Sequence, residues 1–284
     1  MPISAQSNPN LLLKPQQRGN KPLLMGVVNI TPDSFYDGGR YFDSEKAVKR
    51  AFRLIEDGAD LIDIGGESTR PGSDPVSPRE QIERTCPVIR AVRKHSDIPI
   101  SIDTTSSIVV TEAINAGANI VNDVSALLFD EKMIEVIRDN SVPVILMHMK
   151  ETPKTMQKAP LDIGIIDEIR EFLSQRVKFC GENGIPSSDI IVDPGIGFGK
   201  TVAGNLEIIR NIDSFNSLGK PVLIGASRKS FIGKITGAEA DERLAGSLAV
   251  ACYCAIKDVD ILRVHDVKET KNAIEMISSI ISDD

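Results

Sequence analysis

From Leu23 to the C-terminus the chain repeats one rhythm: a short apolar run, a polar loop, then an amphipathic stretch that closes near glycine or proline. The apolar runs lack the in-out alternation of strands with one wet face. Parallel strands covered by helices on both sides lose that alternation, so the runs predict buried parallel strands. Strands are predicted over Leu23 to Ile30, Leu61 to Gly65, Ile98 to Asp103, Ile120 to Val124, Val142 to His148, Ile190 to Asp193, Pro221 to Ala226 and Ile261 to Val264. Helices are predicted over Ser44 to Glu56, Pro78 to Arg93, Ser106 to Ala116, Glu131 to Arg138, Ile166 to Asn183, Asn205 to Ile212, Glu242 to Ile256 and Lys268 to Ile281. Eight strand-then-helix units without a break in composition predict an α/β fold, a single (β/α)8 TIM barrel over residues 21–284. A doubly wound open sheet is the competing arrangement of the same elements. Residues 1–20, rich in Gln, Asn, Pro and Ser, read as a tail preceding the barrel.

Two of the junctions look alike. Gly58-Ala59-Asp60-Leu61-Ile62-Asp63 aligns with Gly117-Ala118-Asn119-Ile120-Val121-Asn122, with the glycine as a left-handed helix cap and an Asp or Asn inside the following strand. Polar residues interrupt other strands as well. Asn29, Asp63, Asp103, Asn122, Asp193 and Arg263 all fall in or at the C-terminal ends of predicted strands. Buried charges are seldom left unpaired, and barrel active sites lie at that face, so these side chains are expected to converge. A satisfied polar plug is the bland reading of any one of them; six from different strands favour a site.

The loops after the strands carry further candidates. The first strand runs into Thr31 to Gly39, turn formers flanking Phe35 and Tyr36, whose aromatic rings are a cost in water unless they cover something. Gly65 to Gly72 offers hydroxyls, a guanidinium and free amides after the second strand. Ser227-Arg228-Lys229-Ser230 follows the seventh strand, where barrels often hold phosphate. Arg263 and His265 share one side of the eighth strand by alternation and read as two cations suited to an anionic group.

Composition narrows the classes. The 284 residues carry a net charge of −7, which argues against a broad nucleic-acid or anionic-membrane footprint, so any bound anion must be met by a few placed cations. Four cysteines form no C-x-x-C pair and there are only three histidines, which supports neither a zinc site nor a disulfide framework. No segment approaches the ~18 uninterrupted apolar residues of a membrane span, so a soluble protein of a reducing cytoplasm is expected. Asp193 to Thr201 fails the P-loop pattern because Pro194 stands where glycine is required, and fails G-x-G-x-x-G because position 200 is Lys. Its glycines are expected to let the loop pass close to a planar ligand beside Asp193, with Phe198 free to form one wall. No G-x-S-x-G is present for a serine hydrolase.

Taken in order, NITPDSF (Asn29 to Phe35), GGESTRPG (Gly65 to Gly72), SIDT (Ser101 to Thr104), VND (Val121 to Asp123), DPGIGFGK (Asp193 to Lys200), SRKSFIG (Ser227 to Gly233) and RVHD (Arg263 to Asp266) closely resemble the bacterial dihydropteroate synthase family of pterin-binding barrels. The likeness runs unbroken from about Leu23 to the C-terminus. It implies a transferase of folate biosynthesis that joins 6-hydroxymethyl-7,8-dihydropterin diphosphate to p-aminobenzoate and releases pyrophosphate, a sulfonamide target and a homodimer. Residue by residue, the resemblance implies that Asp103, Asn122, Asp193 and Lys229 hold the pterin, with Arg263 along its face. Arg263, His265 and Thr69 would meet the diphosphate, Asn29 would offer oxygen to Mg²⁺, and Arg70 would reach the second substrate's region. Phe35, Pro71, Phe198, Lys229 and Ser230 would border the aminobenzoate.

No nucleophile is evident, and the resemblance implies that none is needed. The implied reaction is dissociative: Mg²⁺, Arg263 and His265 stabilise the departing diphosphate and the arylamine captures a pterin-methyl cation, which Asp37 is a candidate to stabilise. The role of Asp63 is left open, with orientation of metal-bound water as one option. Two other readings keep the fold. A methyltetrahydrofolate methyltransferase would retain the Asp and Asn contacts but has no use for Arg263-x-His265 or Ser227-Arg228-Lys229, and a catalytically silent barrel would lack metal or diphosphate residues. The apolar stretch Leu248 to Ile256, with Cys252 and Tyr253, is either core or interface.

Overall fold

Eight strands pair in parallel in the order β6-β5-β4-β3-β2-β1-β8-β7, and a bridge between Val192 and Val222 joins the last to the first, closing a barrel. The strands are β1 (Leu23–Asn29), β2 (Leu61–Gly65), β3 (Ile100–Asp103), β4 (Ile120–Asp123), β5 (Val144–Met147), β6 (Ile190–Asp193), β7 (Leu223–Ile224) and β8 (Ile261–Val264). The helices are α1 (Arg40–Glu56), α2 (Pro78–Arg93), α3 (Ser107–Ala116), α4 (Met133–Asn140), α5 (Ile166–Glu182), α6 (Val202–Arg210), α7 (Ser230–Thr236), α8 (Leu244–Ile256) and α9 (Val267–Ile281). This computed structural model describes residues 21–30, 40–68, 73–150, 162 and 164–282. The expected barrel is therefore present, and the open sheet is not.

Three strands start later than the apolar pattern predicts, and proline is the reason. Pro99, Pro143 and Pro221 have no N–H to give a ladder, yet their carbonyls still accept from Ile62 (3.0 Å), Val121 (2.9 Å) and Val192 (3.0 Å). Each proline thus opens its strand as an acceptor only. The α6 helix begins three residues earlier than predicted because Thr201 caps it, its hydroxyl accepting from Gly204 N–H at 3.1 Å. α7 escapes the helical pattern because it is a seven-residue helix containing Gly233 and ended by left-handed Gly237.

The junction from helix to strand recurs more often than the sequence repeat suggests. Gly58, Gly117, Ser141, Gly184 and Asp258 all take positive φ. The next residue in each case donates its N–H five residues back: Ala59 to Leu54, Ala118 to Ala113, Val142 to Ile137, Ile185 to Cys180 and Val259 to Cys254. That is the six-to-one bond of a Schellman cap, and it reverses the chain from helix into strand with few residues. At three seams an acid or amide follows and clamps the neighbouring strand. Asp60 accepts from Leu24 N–H, Asn119 from Ile100 N–H and Asp260 from Val222 N–H, each at 2.8 Å.

Alternation along the strands sorts the core into two parts. Leu24, Val28, Ile62, Ile64, Ile100, Ile102, Val121, Val144 and Leu146 face the helices, whereas Met25, Leu61, Ile120, Ile145, Ile191, Leu223 and Ile261 form a separate apolar layer inside the barrel. α8 packs on α9, burying Ala251, Cys254 and Ala255 and leaving Tyr253, Ile256, Met276 and Ile280 exposed. Leu248 to Ile256 is thus core on one side and open on the other. No helix among the described residues is long and apolar enough to cross a membrane.

The junction generates a paired prediction. Ser141 holds a left-handed conformation without glycine's freedom, so Ser141→Gly should raise stability by about 0.5–1 kcal/mol. Gly117→Ala should lower it by about 1–2 kcal/mol, because its φ is +117° and a Cβ there would lie 2.8 Å from Arg93 Cγ. Urea denaturation of both variants checks the opposite signs.

Candidate active site

The inward positions of the barrel change character from bottom to mouth. Above the apolar layer, the same alternation brings Asn29, Asp63, Ser101, Asp103, Asn122, Asp193 and Arg263 to the inner surface. Asp103 lies beside Asn122 on β4 and Gly65 on β2, and Gly65 in turn lies beside Asn29 on β1. The odd neighbour is Asp123, which faces outward; its carboxylate accepts from Ser125 N–H (2.7 Å), Ser125 Oγ (2.6 Å) and Leu127 N–H (3.2 Å), fixing the loop after β4.

Arg263 organises the mouth. Its Nε donates to Asp63 Oδ2 at 2.7 Å and its Nη2 to Asp103 Oδ2 at 2.8 Å, while Asn122 Nδ2 also donates to Asp63 Oδ2 at 3.2 Å. Asp63 is fully buried and its Oδ1 has no partner; Ser101 Oγ on the adjacent strand is likewise buried without one. Burial pushes the Asp103 carboxyl up to about 7, Asp63 beside it pushes the same way, and Arg263 pulls it back. Burial alone would lower the Arg263 pKa, but the two carboxylates outweigh it and the guanidinium stays charged. Asp63, whose role the sequence left open, is the anchor that aims Arg263 and Asn122.

The loop after β6 folds against its own protein. Gly195, Gly197 and Gly199 have φ of +71°, +84° and +66°. A Cβ on Gly195 would sit 1.9 Å from the His148 carbonyl oxygen, on Gly197 2.8 Å from Lys229 Cδ, and on Gly199 2.6 Å from Lys150 Cβ. The glycines are therefore required by neighbouring protein atoms, where the sequence reading had them approach a ligand. Phe198 is held in place: its ring packs with Val124 and Met147, and Lys229 Nζ stands 4.3 Å from its centroid. Lys229 also donates to the Ile196 carbonyl, and Asp193 Oδ1 accepts from Gly195 N–H at 2.7 Å. Burial raises the Asp193 pKa against the pull of Lys229, and lowers that of Lys229 to about 7 against the pull of Asp193.

Lys200 was not singled out from the sequence, because only the P-loop pattern drew attention to it and that pattern failed. It is 4% exposed, and its Nζ donates to the carbonyls of Gly195 (2.7 Å), Phe198 (3.0 Å) and His148 (3.2 Å). The root of the loop after β2 was missed for a similar reason. There Glu67 accepts from Val76 N–H and Gln81 Nε2, both at 3.0 Å, and Gln81 Oε1 accepts from Thr104 Oγ1 at 2.7 Å, none of which a local pattern reveals.

At the end of β8, Ser227 Oγ accepts from His265 N–H at 3.2 Å and lies 3.1 Å from His265 Nδ1. With the hydroxyl proton given to Nδ1, the imidazole carries its own proton on Nε2. Burial and the neighbouring Arg263 push the His265 pKa down to about 4, so His265 is a neutral donor and not the second cation expected. Arg228 is spent on Asp266, Nε and Nη2 donating at 2.8 and 2.7 Å. Ser230 is exposed at the start of α7. The structure thus brings Asp63, Asp103, Asn122 and Arg263 into direct contact, and Asp193, Phe198 and Lys229 around one loop. Phe35, Asp37, Thr69, Arg70 and Pro71 lie outside the described residues.

A barrel mouth lined by carboxylates, a carboxamide and placed cations suits a small, polar, hydrogen-bonding ring, and residues 25–265 match the family model described as pterin binding enzyme. The dihydropteroate synthase of Synechocystis sp. is 44% identical over 251 residues, covering 88% of this chain and 87% of that protein. The solved Xanthomonas albilineans dihydropteroate synthase with 4-aminobenzoic acid has a TM-score of 0.86 at 40% identity, covering 92% and 94% of the two chains. The same enzyme in complex with 7,8-dihydropteroate gives a TM-score of 0.83 at 38% identity, covering 92% of this chain and 94% of that one. The chain belongs to the dihydropteroate synthase family.

Two outcomes are expected. Arg263→Met leaves Asp63 and Asp103 buried side by side without their cation and should cost about 3–5 kcal/mol in urea denaturation. His148, buried against the Phe172 ring with Nδ1 unpartnered, has its pKa pushed down to about 3, chiefly by burial and then by Lys200. Its unfolded pKa is near 6.5, so its contribution is complete above that value and is lost as the pH falls towards 3. Denaturation at pH 7 and 4.5 should therefore show His148→Phe losing about 2 kcal/mol less than the parent protein on acidification.

Proposed function

We propose that this chain is a dihydropteroate synthase, joining 6-hydroxymethyl-7,8-dihydropterin diphosphate to p-aminobenzoate with release of pyrophosphate. The observation that carries the reading is the buried cluster of Asp63, Asp103, Asn122 and Arg263 at the mouth of a barrel whose relatives bear that name. A carboxylate accepts two hydrogen bonds from the 2-amino and adjacent N–H groups of a pterin, which assigns the ring to Asp193, Asp103 and Asn122, with Lys229 donating to a ring oxygen or nitrogen. Arg263 lies along the ring and, with the neutral His265 donating from Nε2, meets the diphosphate. Thr69 extends that contact. Phe198, Lys229 and Ser230, with Phe35, Pro71 and Arg70, border the aminobenzoate.

Chemistry then needs position and electrostatics, not a nucleophile. The methylene carbon–oxygen bond breaks and its electron pair leaves with the diphosphate. The arylamine nitrogen forms the new carbon–nitrogen bond and gives up a proton. Arg263, held charged by its two carboxylates, offsets charge gathering on the leaving group, and Asp37 is the candidate to stabilise the opposite charge on the methylene.

The donors present suit Mg²⁺. No three His, Cys, Asp or Glu side chains among the described residues form a metal cluster, while Asn29 ends β1 beside Gly65, where an added Cβ would come 3.8 Å from Asn29 Oδ1. One carboxamide oxygen fits a hard cation that takes its other ligands from phosphate and water. Asn29 would hold it, and when bound it supplies positive charge to the departing diphosphate. The exposed Tyr253, Ile256, Met276 and Ile280 of α8 and α9 are the face assigned to a homodimer, and the free cysteines suit a reducing cytoplasm.

The test is release of pyrophosphate by the purified protein. Release is expected only when pterin diphosphate, p-aminobenzoate and Mg²⁺ are all supplied, with sulfonamides competing against p-aminobenzoate. Release that ignores the arylamine would instead assign the site to a diphosphate hydrolase.

A further inference from the structure

We propose that Lys200 is a positioning residue for both substrate pockets, its ammonium acting as the fixed cation around which the loop after β6 is folded. The inference rests on the reading of Asp193 as a pterin contact and Phe198 as an aminobenzoate wall.

Three observations lead to it. First, the ammonium has three N–H donors and all three are used, on the carbonyls of Gly195 (2.7 Å), Phe198 (3.0 Å) and His148 (3.2 Å). Two of these acceptors belong to the loop and the third to the end of β5, so a single point charge ties the loop to its neighbouring strand. Second, the peptides of the loop alternate in direction because Gly195, Gly197 and Gly199 are left-handed. Carbonyls turn inward to Lys200, while the amides of Gly195 and Gly197 turn outward to Asp193 Oδ1 (2.7 Å) and Asn205 Oδ1 (2.6 Å). Asn205 is itself held, its Nδ2 donating to the Thr201 carbonyl at 2.7 Å. Third, the same loop holds the two groups assigned to substrate: the Asp193 carboxylate at its root, aimed by the Gly195 amide, and the Phe198 ring, 4.3 Å from Lys229 Nζ.

The geometry has the form of a monovalent cation site in which a tethered ammonium takes the ion's place. Removing it takes the ammonium from all three inward carbonyls, of which only that of Gly195 keeps a backbone donor, the Phe198 N–H at 3.1 Å, and leaves them facing one another in a buried space. The loop then relieves that repulsion by rotating peptides, and the rotation carries the Gly195 amide away from Asp193 and the Phe198 ring away from Lys229. Lys200 touches neither substrate, so its effect is on binding and not on the reacting atoms.

The experiment measures KM for each substrate and kcat, by pyrophosphate release, in Lys200→Met and Lys200→Ala, with Lys200→Gln read in place of the methionine variant if that protein is insoluble. A rise of tenfold or more in KM for both substrates is expected, with kcat within about threefold of the parent. In Lys200→Ala, n-propylammonium should bring both KM values back towards the parent's, while tetramethylammonium, equally charged but without N–H donors, should not. Unchanged KM values, a fall in kcat alone, or a KM rise that propylammonium leaves untouched overturns the proposal. Failure of the parent protein to release pyrophosphate in the same assay would overturn the functional reading instead.

Discussion

Asp63 and Asp103 stand on adjacent strands, both pointing into a barrel that excludes water, and each raises the cost of the other's charge. Arg263, reaching across from β8, is the cation that pairs with both, and Asn122 adds a hydrogen bond to Asp63. The guanidinium joins β8 to Asp63 on β2 and Asp103 on β3, and the shared Asp63 oxygen brings in Asn122 from β4, while strand register sets Gly65 and Asn29 beside them. Buried ion pairs of this kind seldom add stability over apolar packing. What this one supplies is orientation, a set of hydrogen-bonding edges held rigid before any ring arrives.

The barrel separates two tasks along its axis. At the bottom, left-handed caps and clamping side chains turn each helix into the next strand, and an apolar layer fills the interior. At the mouth, charge takes over, and each loop is rooted by a different device. Glu67 and Gln81 hold the one after β2, Asp123 the one after β4, and Lys200 the one after β6. The mouth thus carries loops anchored by different devices, two of them tied to a neighbour through Gln81–Thr104 and Lys200–His148, on a common ring of strands.

Much of this was legible in the sequence because two signals are local. Strand-and-helix periodicity revealed eight units, and polar residues inside apolar strands revealed the site: Asn29, Asp63, Asp103, Asn122, Asp193 and Arg263 all reach the inner surface. What failed was what depends on distant atoms. Proline shortened three strands because it has no N–H to offer a neighbouring strand far along the chain, and α7 was too short to show a period. Gly195 and Gly199 make room for His148 and Lys150, just past β5 and over forty residues earlier, Gly197 makes room for the Lys229 side chain, and the His265 pKa is lowered by burial and then by Arg263. Lys200 was unreadable because its partners are carbonyls, which every residue has.

The closure between β6 and β7 has a further meaning. β7 contributes only Leu223 and Ile224 as a strand, and the bridge from Val192 to Val222 is the sole β-pairing across that gap among the described residues. Of the seams in the ring it is the one with the least backbone pairing. At the mouth the same gap is crossed by Lys229, on the β7 side, donating to Ile196 on the β6 side. Lys229 thus adds a side-chain tie across the seam that has the least backbone pairing, on the side where Asp193 ends β6.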